Sequence, residues 1–470
     1  MTTARTPDAQ PLRLVPGEGA ADPSPRPLTD VGNCERFVAE HGERVRHCHP
    51  WDAWLIFDGT KWMKDEILQV EQLARLTVRN IYKEALQAPD ADVRKALAAH
   101  AVKSERRDRL DAAIKLSRSD LPVEPRELDA DPWLFNVTNG TLDLRTGELK
   151  PHRREDFITK LAPVSYDEKA KCPRWDEFLK RIFDGNTSVI EFMQRAFGYS
   201  LSGLTSEQVL FLLHGLGANG KSTLLETLRR LAGEYARQAD FSTFLETDHD
   251  GARNDVAALK GARIVMAVEA DSRRALSESV VKQITGGDTI AARFLYGEFF
   301  EFKPELKLWL AANHRPRIKG TDNAIWRRVR LIPFNVTIAE DERDPHLVEK
   351  LESELPGILA WAVRGCADWQ ENGLAAPPEV ADATADYRAE EDQVGRFVDD
   401  CCVMNPQATV LASALFAAYR KWCEGVGEKE SSQKAFGQRL EEKRFKAGRN
   451  NRARFWTGIH LPAADQDGDA

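Results

Sequence analysis

The sequence has no long hydrophobic run, and this absence excludes one class of protein at once. A membrane-spanning helix needs about 20 consecutive apolar residues, and no stretch of the 470 residues approaches that length. The stretch 1–30 also lacks the apolar segment of a secretory signal peptide, and it is rich in proline. We therefore expect no membrane partner, a disordered tail over 1–30 and a cytoplasmic protein.

Cysteines at C-x-x-C spacing are missing as well. The seven cysteines are scattered and form no C-x-x-C pair, so reduced thiols in a cytosolic protein are the simplest interpretation. The triplet His47-Cys48-His49 has no second ligand pair spaced from it, and we expect no metal there. An excess of positive charge is also absent, because the formal net charge is −8. That value argues against nucleic acid covering the whole surface, although a local basic patch remains compatible with it.

A glycine-rich loop with suitable flanks is present. Residues 215–222 read GLGANGKS and fit the pattern G-x-x-x-x-G-K-[ST]. The apolar run 209–213 predicts a strand before the loop, and the leucine spacing after it predicts a helix that ends near Gly233. Loop N–H groups and a helix N-terminus bind phosphate, with Lys221 on the β- and γ-phosphates and Ser222 on Mg²⁺. The predicted ATP-binding residues are Gly215, Gly217, Ala218, Asn219, Gly220, Lys221, Ser222 and Thr223.

Two later apolar segments end in polar residues that suit ATP hydrolysis. The predicted strand over 262–268 ends at Glu269, which would hold the Mg²⁺ water shell and polarise the attacking water. Asp271 faces the same side of an extended chain. The predicted strand over 306–312 ends at Asn313, which would orient water against the γ-phosphate. The alternatives are an acid capping a strand and an asparagine in a turn.

An arginine pair follows in the segment AIWRRVRLIPF. Arg327 or Arg328 would act as an arginine finger, supplied by one subunit to the next to neutralise charge in the transition state. The sequence does not separate the two residues, and a solvated arginine pair is the alternative.

The segment 283–304 predicts a hairpin ahead of the Asn313 strand. When ATPase cores with such a hairpin assemble into a ring, the hairpin points into the central pore. Arg293 and Lys303 would meet phosphates, and Tyr296 or Phe294 would stack on a base. An ordinary hairpin with a packed aromatic face is the alternative.

The C-terminal residues 409–462 suit a winged helix, with a helix from Thr409, a recognition helix at 431–445 and a hairpin wing. Between Lys429 and Trp456 there are nine basic and three acidic residues, a charge pattern typical of DNA contact. A solubilising surface or a protein-docking face is the alternative. The predicted DNA-binding residues here are Lys434, Arg439, Arg449, Arg452 and Arg454.

The order of glycine loop, acid, TGGD hairpin, asparagine and WRR resembles the superfamily 3 helicases. It is most similar to the phage and plasmid primase-helicase family that includes the poxvirus primase-helicase. The segments around Trp54, Gly59 and Trp62 and over 139–149 resemble that family's upstream module, so the resemblance covers about 33–461. It implies an α/β protein with a P-loop AAA+-type ATPase core, an upstream mixed α/β module and a C-terminal winged helix.

The domain boundaries follow from this interpretation. They are a disordered tail (1–30), the upstream module (31–168), the ATPase core (169–340), a helical linker or lid (341–391), the winged helix (392–462) and a tail (463–470).

The resemblance also implies an activity. We expect a hexameric helicase that uses ATP and Mg²⁺ to translocate on single-stranded DNA, in the replication of a phage or related element within the bacterial cytoplasm. Two features depart from the family: the acidic motif is Glu269-Ala270-Asp271 rather than adjacent carboxylates, and no primase constellation is visible, so a separate primase is expected. The alternatives are an ATP-switched loader that binds origin DNA and a nucleotide-sensing ATPase that needs no DNA.

Overall fold

Two units make up the part of the chain described by the structure, a computed structural model. The described residues are 26–247, 254–269, 274–293, 299–320, 322–449 and 453–462. The first unit holds the described residues up to Ala130 together with Arg153–Thr159. The second holds Asp131–His152 and the described residues from Lys160 onward. Residues of the predicted upstream module therefore fall into both units.

In the first unit, helices pack on a small antiparallel sheet. Its elements are α1 (Asp30–His41), β1 (Val45–Cys48), β2 (Ala53–Phe57), β3 (Trp62–Lys64), α2 (Gln69–Gln87), α3 (Ala91–Ser104) and α4 (Arg107–Asp120). A tight turn at Asp58-Gly59 connects β2 to β3. Gly59 there has a φ of 105°, and Asp58 Oδ1 accepts hydrogen bonds from the N–H groups of Thr60 and Lys61 at 2.7 and 2.9 Å. Phe37, Ile56 and neighbouring apolar residues form the core.

The second unit begins with another antiparallel sheet. Its first elements are β4 (Leu134–Val137), β5 (Gly140–Asp143), β6 (Glu148–Lys150), α5 (Pro173–Ile182) and α6 (Thr187–Leu201). Short turns at Thr138-Asn139 and over 144–147 connect these strands. Pro173 suits the first turn of α5, where a missing N–H costs nothing. Residues of both helices belong to the core on one face of the central sheet.

A parallel sheet forms the centre of the second unit. Its strands are β7 (Leu210–His214), β8 (Ala236–Gln238), β9 (Ile264–Val268), β12 (Lys307–Ala312) and β13 (Val329–Pro333), in the order β13-β7-β12-β9-β8. Successive residues of β7 point to opposite faces. Leu210 and Leu212 join the core on one face, and Phe211 and Leu213 join the core on the other. Burial on both faces explains why the strands are continuous apolar runs.

Helices and a hairpin surround this sheet. They are α7 (Lys221–Ala232), α8 (Asn254–Ala257), α9 (Glu278–Gly286), β10 (Ile290–Arg293), β11 (Phe299–Phe302), α10 (Asn323–Trp326), α11 (Leu347–Glu352), α12 (Leu355–Asn372) and α13 (Pro378–Glu391). The helices α6, α7 and α12 cover one face of the sheet, and α9, α10 and α13 cover the other. The strands β10 and β11 pair antiparallel, which confirms the predicted hairpin. Its tip, with Phe294 and Tyr296, lies outside the described residues.

The C-terminal part combines three-stranded pairing with short helices. Its elements are α14 (Gln393–Cys401), β14 (Val403–Leu411), α15 (Ala412–Val426), α16 (Gln433–Glu442), β15 (Lys446–Arg449) and β16 (Arg454–His460), with strand order β14-β16-β15. The prediction that a helix starts at Thr409 is wrong. Residues Thr409–Leu411 end β14, because they pair with Phe455–Thr457 of β16, and α15 starts only at Ala412. Among the described residues, no helix is both long and apolar enough to cross a membrane.

Candidate functional site

The glycine loop connects β7 to α7 at the carboxyl edge of the parallel sheet. Gly217 and Gly220 have φ values of 94° and 86°, in the left-handed region that favours glycine. A Cβ atom at Gly220 would lie 2.6 Å from Ile182 Cγ2, and one at Gly215 would lie 2.3 Å from the carbonyl oxygen of Phe334. The loop therefore needs glycine at both ends, as the motif predicts.

Lys221, the first residue of α7, is buried with its ammonium directed back at the loop. Its Nζ donates to Gly215 O at 2.6 Å, to Asn219 Oδ1 at 3.2 Å and to Asn313 Oδ1 at 3.2 Å. Burial lowers the pKa of Lys221, and the negative charge of Glu269 opposes that shift. The structure thus brings together Lys221 and Asn313, which lie 92 positions apart in the sequence.

Glu269 follows β9 at the same edge of the sheet. Its Oε2 accepts hydrogen bonds from the backbone N–H groups of Asn313 and His314 at 3.0 and 3.1 Å. Its Oε1 is buried and has no hydrogen-bond partner among the described residues. One carboxylate oxygen therefore orients the end of β12, and the other is left for a water molecule or a hydrated cation. Asp271 lies outside the described residues.

A cavity of about 320 Å³ lies between these side chains. Residues from 217 to 223 line it together with Val268, Glu269, Ala311 and Asn313. Ser222, at the start of α7, is exposed and lines this cavity. A hydroxyl and an unpaired carboxylate oxygen from residues that line one cavity are a donor set that suits Mg²⁺ with retained water ligands.

A second cavity of about 660 Å³ adjoins the loop. It shares Ala218, Gly220 and Thr223 with the first cavity. Its other lining residues are apolar, basic and acidic: Arg174, Glu177, Phe178, Arg181, Ile338, Glu342, Arg343, Asp344, Leu347 and Lys350. Its volume lies within the usual range for ligand sites of about 300–1,000 Å³. Sequence reasoning missed these residues, because they come from α5 and from the segment after β13, which carry no recognisable motif.

The predicted arginine pair lies at the opposite edge of the sheet. Arg327 and Arg328 precede β13, and Phe334 at its other end reaches the glycine loop. A strand of five residues spans about 16 Å, so the structure does not bring either arginine to Lys221 of the same chain.

The two arginines differ in their surroundings. Arg328 is buried, with its Nε donating to Thr285 Oγ1 at 3.1 Å and its Nη1 to the carbonyl oxygen of Ala324. Burial, with the neighbouring charge of Arg327, lowers the pKa of Arg328. Arg327 is exposed, and its Nη2 donates to Gln208 Oε1 at 2.6 Å. Only Arg327 of this pair is therefore placed to reach a neighbouring molecule.

Two unpredicted residues lie near the carboxyl edge. His214 ends β7, and burial together with the positive charges of Arg315 and Lys221 lowers its pKa. Arg315 follows Asn313 by two positions, and its Nη1 donates to Glu390 Oε2 at 2.5 Å. The sequence shows their types and positions but not their surroundings.

The predicted DNA-binding residues form two groups. Arg293 and Lys303, at the ends of the β10–β11 hairpin, are exposed. In the C-terminal part, Lys434, Arg449 and Arg454 are also exposed. Arg452 lies outside the described residues, as Tyr296 does.

The C-terminal basic residues are not equivalent. Arg449 and Arg454 face each other directly across β15 and β16. Two like charges in that register repel, and a bound anion would relieve the repulsion. A cavity of about 470 Å³ between α16 and this hairpin has Lys434 and Arg454 in its lining. By contrast, Arg439 donates to the carbonyl oxygen of Lys319 at 2.5 Å and is partly occupied within the chain.

Three family models match separate parts of the chain. A model described as D5 N terminal like matches 34–184, a family of unknown function (DUF5906) matches 213–328, and a model described as poxvirus D5 protein-like matches 389–457. The second model ends at Arg328, so it spans the residues from the glycine loop to the arginine pair. The resemblance seen in the sequence is thereby confirmed.

Curated relatives have names of the same kind. The chain is 26% identical over 418 residues to a "putative helicase" of Acanthamoeba polyphaga mimivirus, covering 78% of this chain and 43% of the relative. It is 25% identical to a "putative helicase" of Frog virus 3, covering 63% of this chain and 39% of the relative. A "putative primase" of African swine fever virus is 23% identical, with 63% and 34% covered. The chain spans about two fifths of the length of the first two.

Among solved structures, the C-terminal region of NrS-1 in its apo form is similar to this chain. The identity is 11% and the TM-score is 0.48, with 92% of this chain and 100% of that one covered.

The relatives found in the sequence comparison come mostly from viruses of eukaryotes, so a bacterial host stays a prediction.

Proposed function

We propose that the chain is an ATP-hydrolysing DNA helicase, because it is a relative of the D5-type viral helicases and primases and matches the D5 N terminal like and poxvirus D5 protein-like models. The P-loop ATPase core and the winged helix expected from the sequence are part of this proposal. The observation that carries it is the grouping of Lys221, Asn313 and Glu269 around one cavity beside the glycine loop.

The proposed nucleotide site divides into two cavities. The smaller one would take the phosphates, on the loop N–H groups and Lys221, because its size and donors suit an anion at a helix N-terminus. The larger one would take the nucleoside, with Phe178, Ile338 and Leu347 offering apolar surface. ATP spans both, because the two cavities share Ala218, Gly220 and Thr223.

The residues at the carboxyl edge have distinct roles in the proposed reaction. Ser222 and, through water, Glu269 would hold Mg²⁺, which supplies charge neutralisation at the phosphates when bound. Glu269 Oε1 would accept a proton from the attacking water. Asn313 would position that water, and its backbone N–H keeps Glu269 Oε2 in place. Lys221 would stabilise charge that develops on the transferred phosphate.

The arginine finger is proposed to act between subunits. Arg327 lies at the opposite edge of the sheet from Lys221, so it would serve the site of a neighbouring copy. A contact between the carboxyl edge of one copy and the amino edge of the next is head-to-tail, and such contacts generate rings when they close. A hexamer is the expected ring.

DNA contact is proposed for the exposed basic residues. Arg293 and Lys303 on the hairpin, together with Tyr296 at its tip, would meet single-stranded DNA inside the ring. Lys434, Arg449, Arg452 and Arg454 would bind phosphates of single-stranded or origin DNA. A partly occupied Arg439 would contribute less. Priming is proposed to come from a separate protein.

The first test is steady-state ATP hydrolysis with and without single-stranded DNA, with Lys221→Ala as the control. Strong stimulation by DNA in the wild-type protein, absent from the variant, is the expected result. Turnover that DNA does not change, in protein shown to be assembled, would contradict the helicase proposal. It would favour an ATP-switched loader that binds origin DNA or a nucleotide-sensing ATPase.

A mixing experiment tests whether the finger acts in trans. Lys221→Ala keeps its finger but loses its phosphate contact, and Arg327→Ala keeps its nucleotide site but loses its finger. In an equimolar mixed ring, about a quarter of the interfaces would combine an intact site with an intact finger. We expect each variant alone to be nearly inactive and the mixture to regain about that fraction of turnover. No recovery in mixed assemblies would exclude a finger in trans.

A further inference from the structure

The segment 314–326, here named the crossover, joins the two edges of the parallel sheet. It leaves the carboxyl edge after Asn313, at the end of β12, and returns to the amino edge ahead of Arg327. This path is required because β12 and β13 are both parallel to β7. The crossover is therefore the covalent connection between the chain's own candidate nucleotide site and the arginine that would serve a neighbour.

Tyr387 of α13 contacts the crossover at both of its ends. Its hydroxyl donates to the carbonyl oxygen of Pro316, three positions after Asn313. Its ring meets the ring of Trp326, next to Arg327, edge-on at a centroid distance of 5.1 Å. Trp326 Nε1 also donates to Gly320 O within the crossover at 2.8 Å. Tyr387 is fully buried, so these contacts are part of the core rather than of a loose surface.

The last turn of α13 adds two more contacts near Asn313. Glu390 accepts a hydrogen bond from Arg315, and the Arg315 guanidinium also lies 5.7 Å from the centre of the Tyr387 ring. Glu391 Oε2 accepts a hydrogen bond from the backbone N–H of Ile318 at 3.0 Å. Three side chains on about one turn of one helix thus hold the first five residues of the crossover.

The same helix is anchored on the sheet. Thr384 Oγ1 accepts a hydrogen bond from the backbone N–H of Leu331 at 3.0 Å, so α13 is tied to the middle of β13. A shift of α13 relative to β13 would break that bond and move the crossover with it. None of these α13 side chains lines either cavity beside the glycine loop, so the proposed reaction does not otherwise use them.

From this arrangement we infer that Tyr387 is a positioning residue for ATP hydrolysis, holding Asn313 and Arg327 in fixed relation through the crossover. The inference rests on the proposed function. Tyr387 touches neither nucleotide nor water in this scheme. Its role is to keep Asn313, at the end of β12, in position to orient the attacking water. It also keeps Arg327 in the position from which it would reach the neighbour's site.

The test compares Tyr387→Phe with Tyr419→Phe in the full chain. Both changes remove one hydroxyl from a buried ring. The Tyr419 hydroxyl bonds Gln393 and Ser431 rather than a residue of the crossover. We expect Tyr387→Phe to lower kcat for ATP by about tenfold to a hundredfold, because small misplacements of catalytic groups have effects of that size. KM for ATP should stay within about twofold of the wild-type value. Tyr419→Phe should leave basal turnover unchanged.

The outcomes separate this inference from the proposed function. If the wild-type protein does not hydrolyse ATP, the proposed function has failed. If the wild type turns over and Tyr387→Phe matches Tyr419→Phe in kcat, the inference is overturned and the proposed function stands. If Tyr387 had only a structural role, the thermal midpoint of unfolding would fall by a similar amount in both variants. Tyr387→Phe would then show no loss of kcat at an unchanged KM.

A second variant keeps the inference testable if Tyr387→Phe does not fold. Glu390 is an exposed residue whose carboxylate holds Arg315. We expect Glu390→Ala to lower kcat in the same direction, by about threefold, with KM and the thermal midpoint unchanged. An unchanged kcat in Glu390→Ala would count against the inference.

Discussion

Each edge of the parallel sheet has a buried lysine, and the two lysines differ in their hydrogen-bond acceptors. At the carboxyl edge, Lys221 has one backbone acceptor and two amide side-chain acceptors, and it lines a cavity. At the amino edge, Lys307 is 1% exposed and lies 5.2 Å from the ring of Tyr199. Its ammonium donates to three backbone carbonyl oxygens, those of Ser202, Leu204 and Glu305.

The difference shows which cations can change partners. The acceptors of Lys307 include Ser202, the C-cap of α6. Arg263 donates to the carbonyl oxygen of Leu201, the last residue of α6, at 2.9 Å. Lys307 and Arg263 therefore donate to backbone carbonyl groups that the end of α6 leaves unpaired. A backbone carbonyl can move away from its donor only if the backbone around it changes conformation. The amide groups on Lys221 can rotate away. Lys221 thus suits ligand exchange, and Lys307 suits permanent structure.

The largest expected effect applies this distinction to the arginine pair. Arg327 has a side-chain acceptor and is exposed, whereas Arg328 is buried and held by a backbone carbonyl. We expect Arg327→Ala to lower kcat of the assembled protein by about a thousandfold, or about 4 kcal/mol of barrier, as loss of an arginine finger does. Steady-state ATP hydrolysis measures this change.

Arg328→Ala is the matched control for that prediction. It should lower the thermal midpoint of unfolding, because it leaves Thr285 Oγ1 and the Ala324 carbonyl without their donor. Arg327→Ala should leave the midpoint unchanged. The reverse pattern, with an unstable Arg327→Ala and an inactive but stable Arg328→Ala, would assign the finger to Arg328.

At the amino edge, we expect Lys307→Ala to lower the free energy of unfolding by about 3 kcal/mol. The change leaves several buried carbonyl oxygens without a donor, at a cost of about 1–3 kcal/mol each before water replaces part of it. Urea titration measures the loss. ATP turnover per folded molecule should be retained, and a stable but inactive Lys307→Ala would contradict the structural role.

At the carboxyl edge, binding rather than folding should respond to the lysine. ATP with Mg²⁺ at about 100 times its Kd should stabilise the wild type by about 2.7 kcal/mol, raising the thermal midpoint. Lys307→Ala should retain this increase and Lys221→Ala should lose most of it. An equal increase in both variants would place the nucleotide elsewhere.

Sequence reasoning predicts the carboxyl edge well because its signals are local. A strand, a glycine loop and a helix follow one another over 209–233, and the polar residues Glu269 and Asn313 directly follow strands. Parallel strands bring such ends to one edge. The placement of Arg327 at the other edge also follows from strand direction, once β13 is known to be parallel.

The amino edge is not predictable in this way. Lys307 and its acceptor Ser202 are 105 positions apart, and nothing in the local pattern pairs a strand-start lysine with a helix end. The same limit explains the error at Thr409, where helical spacing extends upstream of α15 but pairing with β16 decides the conformation. Tyr387 is missed likewise, since its contacts are made by folding alone.

The smallest expected effect separates the two lysines by pH. Burial, followed by the charge of Arg263, lowers the pKa of Lys307 well below 10.5, and burial lowers the pKa of Lys221. Between the folded and unfolded pKa values the unfolded chain binds more protons, so stability rises with pH. The penalty is full below the folded pKa and gone above the unfolded one. Urea titrations at increasing pH measure the free energy of unfolding of the wild type relative to each variant. We expect this difference to rise with pH for both variants. The rise should begin at a lower pH in the comparison with Lys307→Ala than in the comparison with Lys221→Ala. A difference that stays flat for Lys307→Ala would mean that its ammonium is as stable inside the protein as in water, and the contrast between the two edges would then rest on geometry alone.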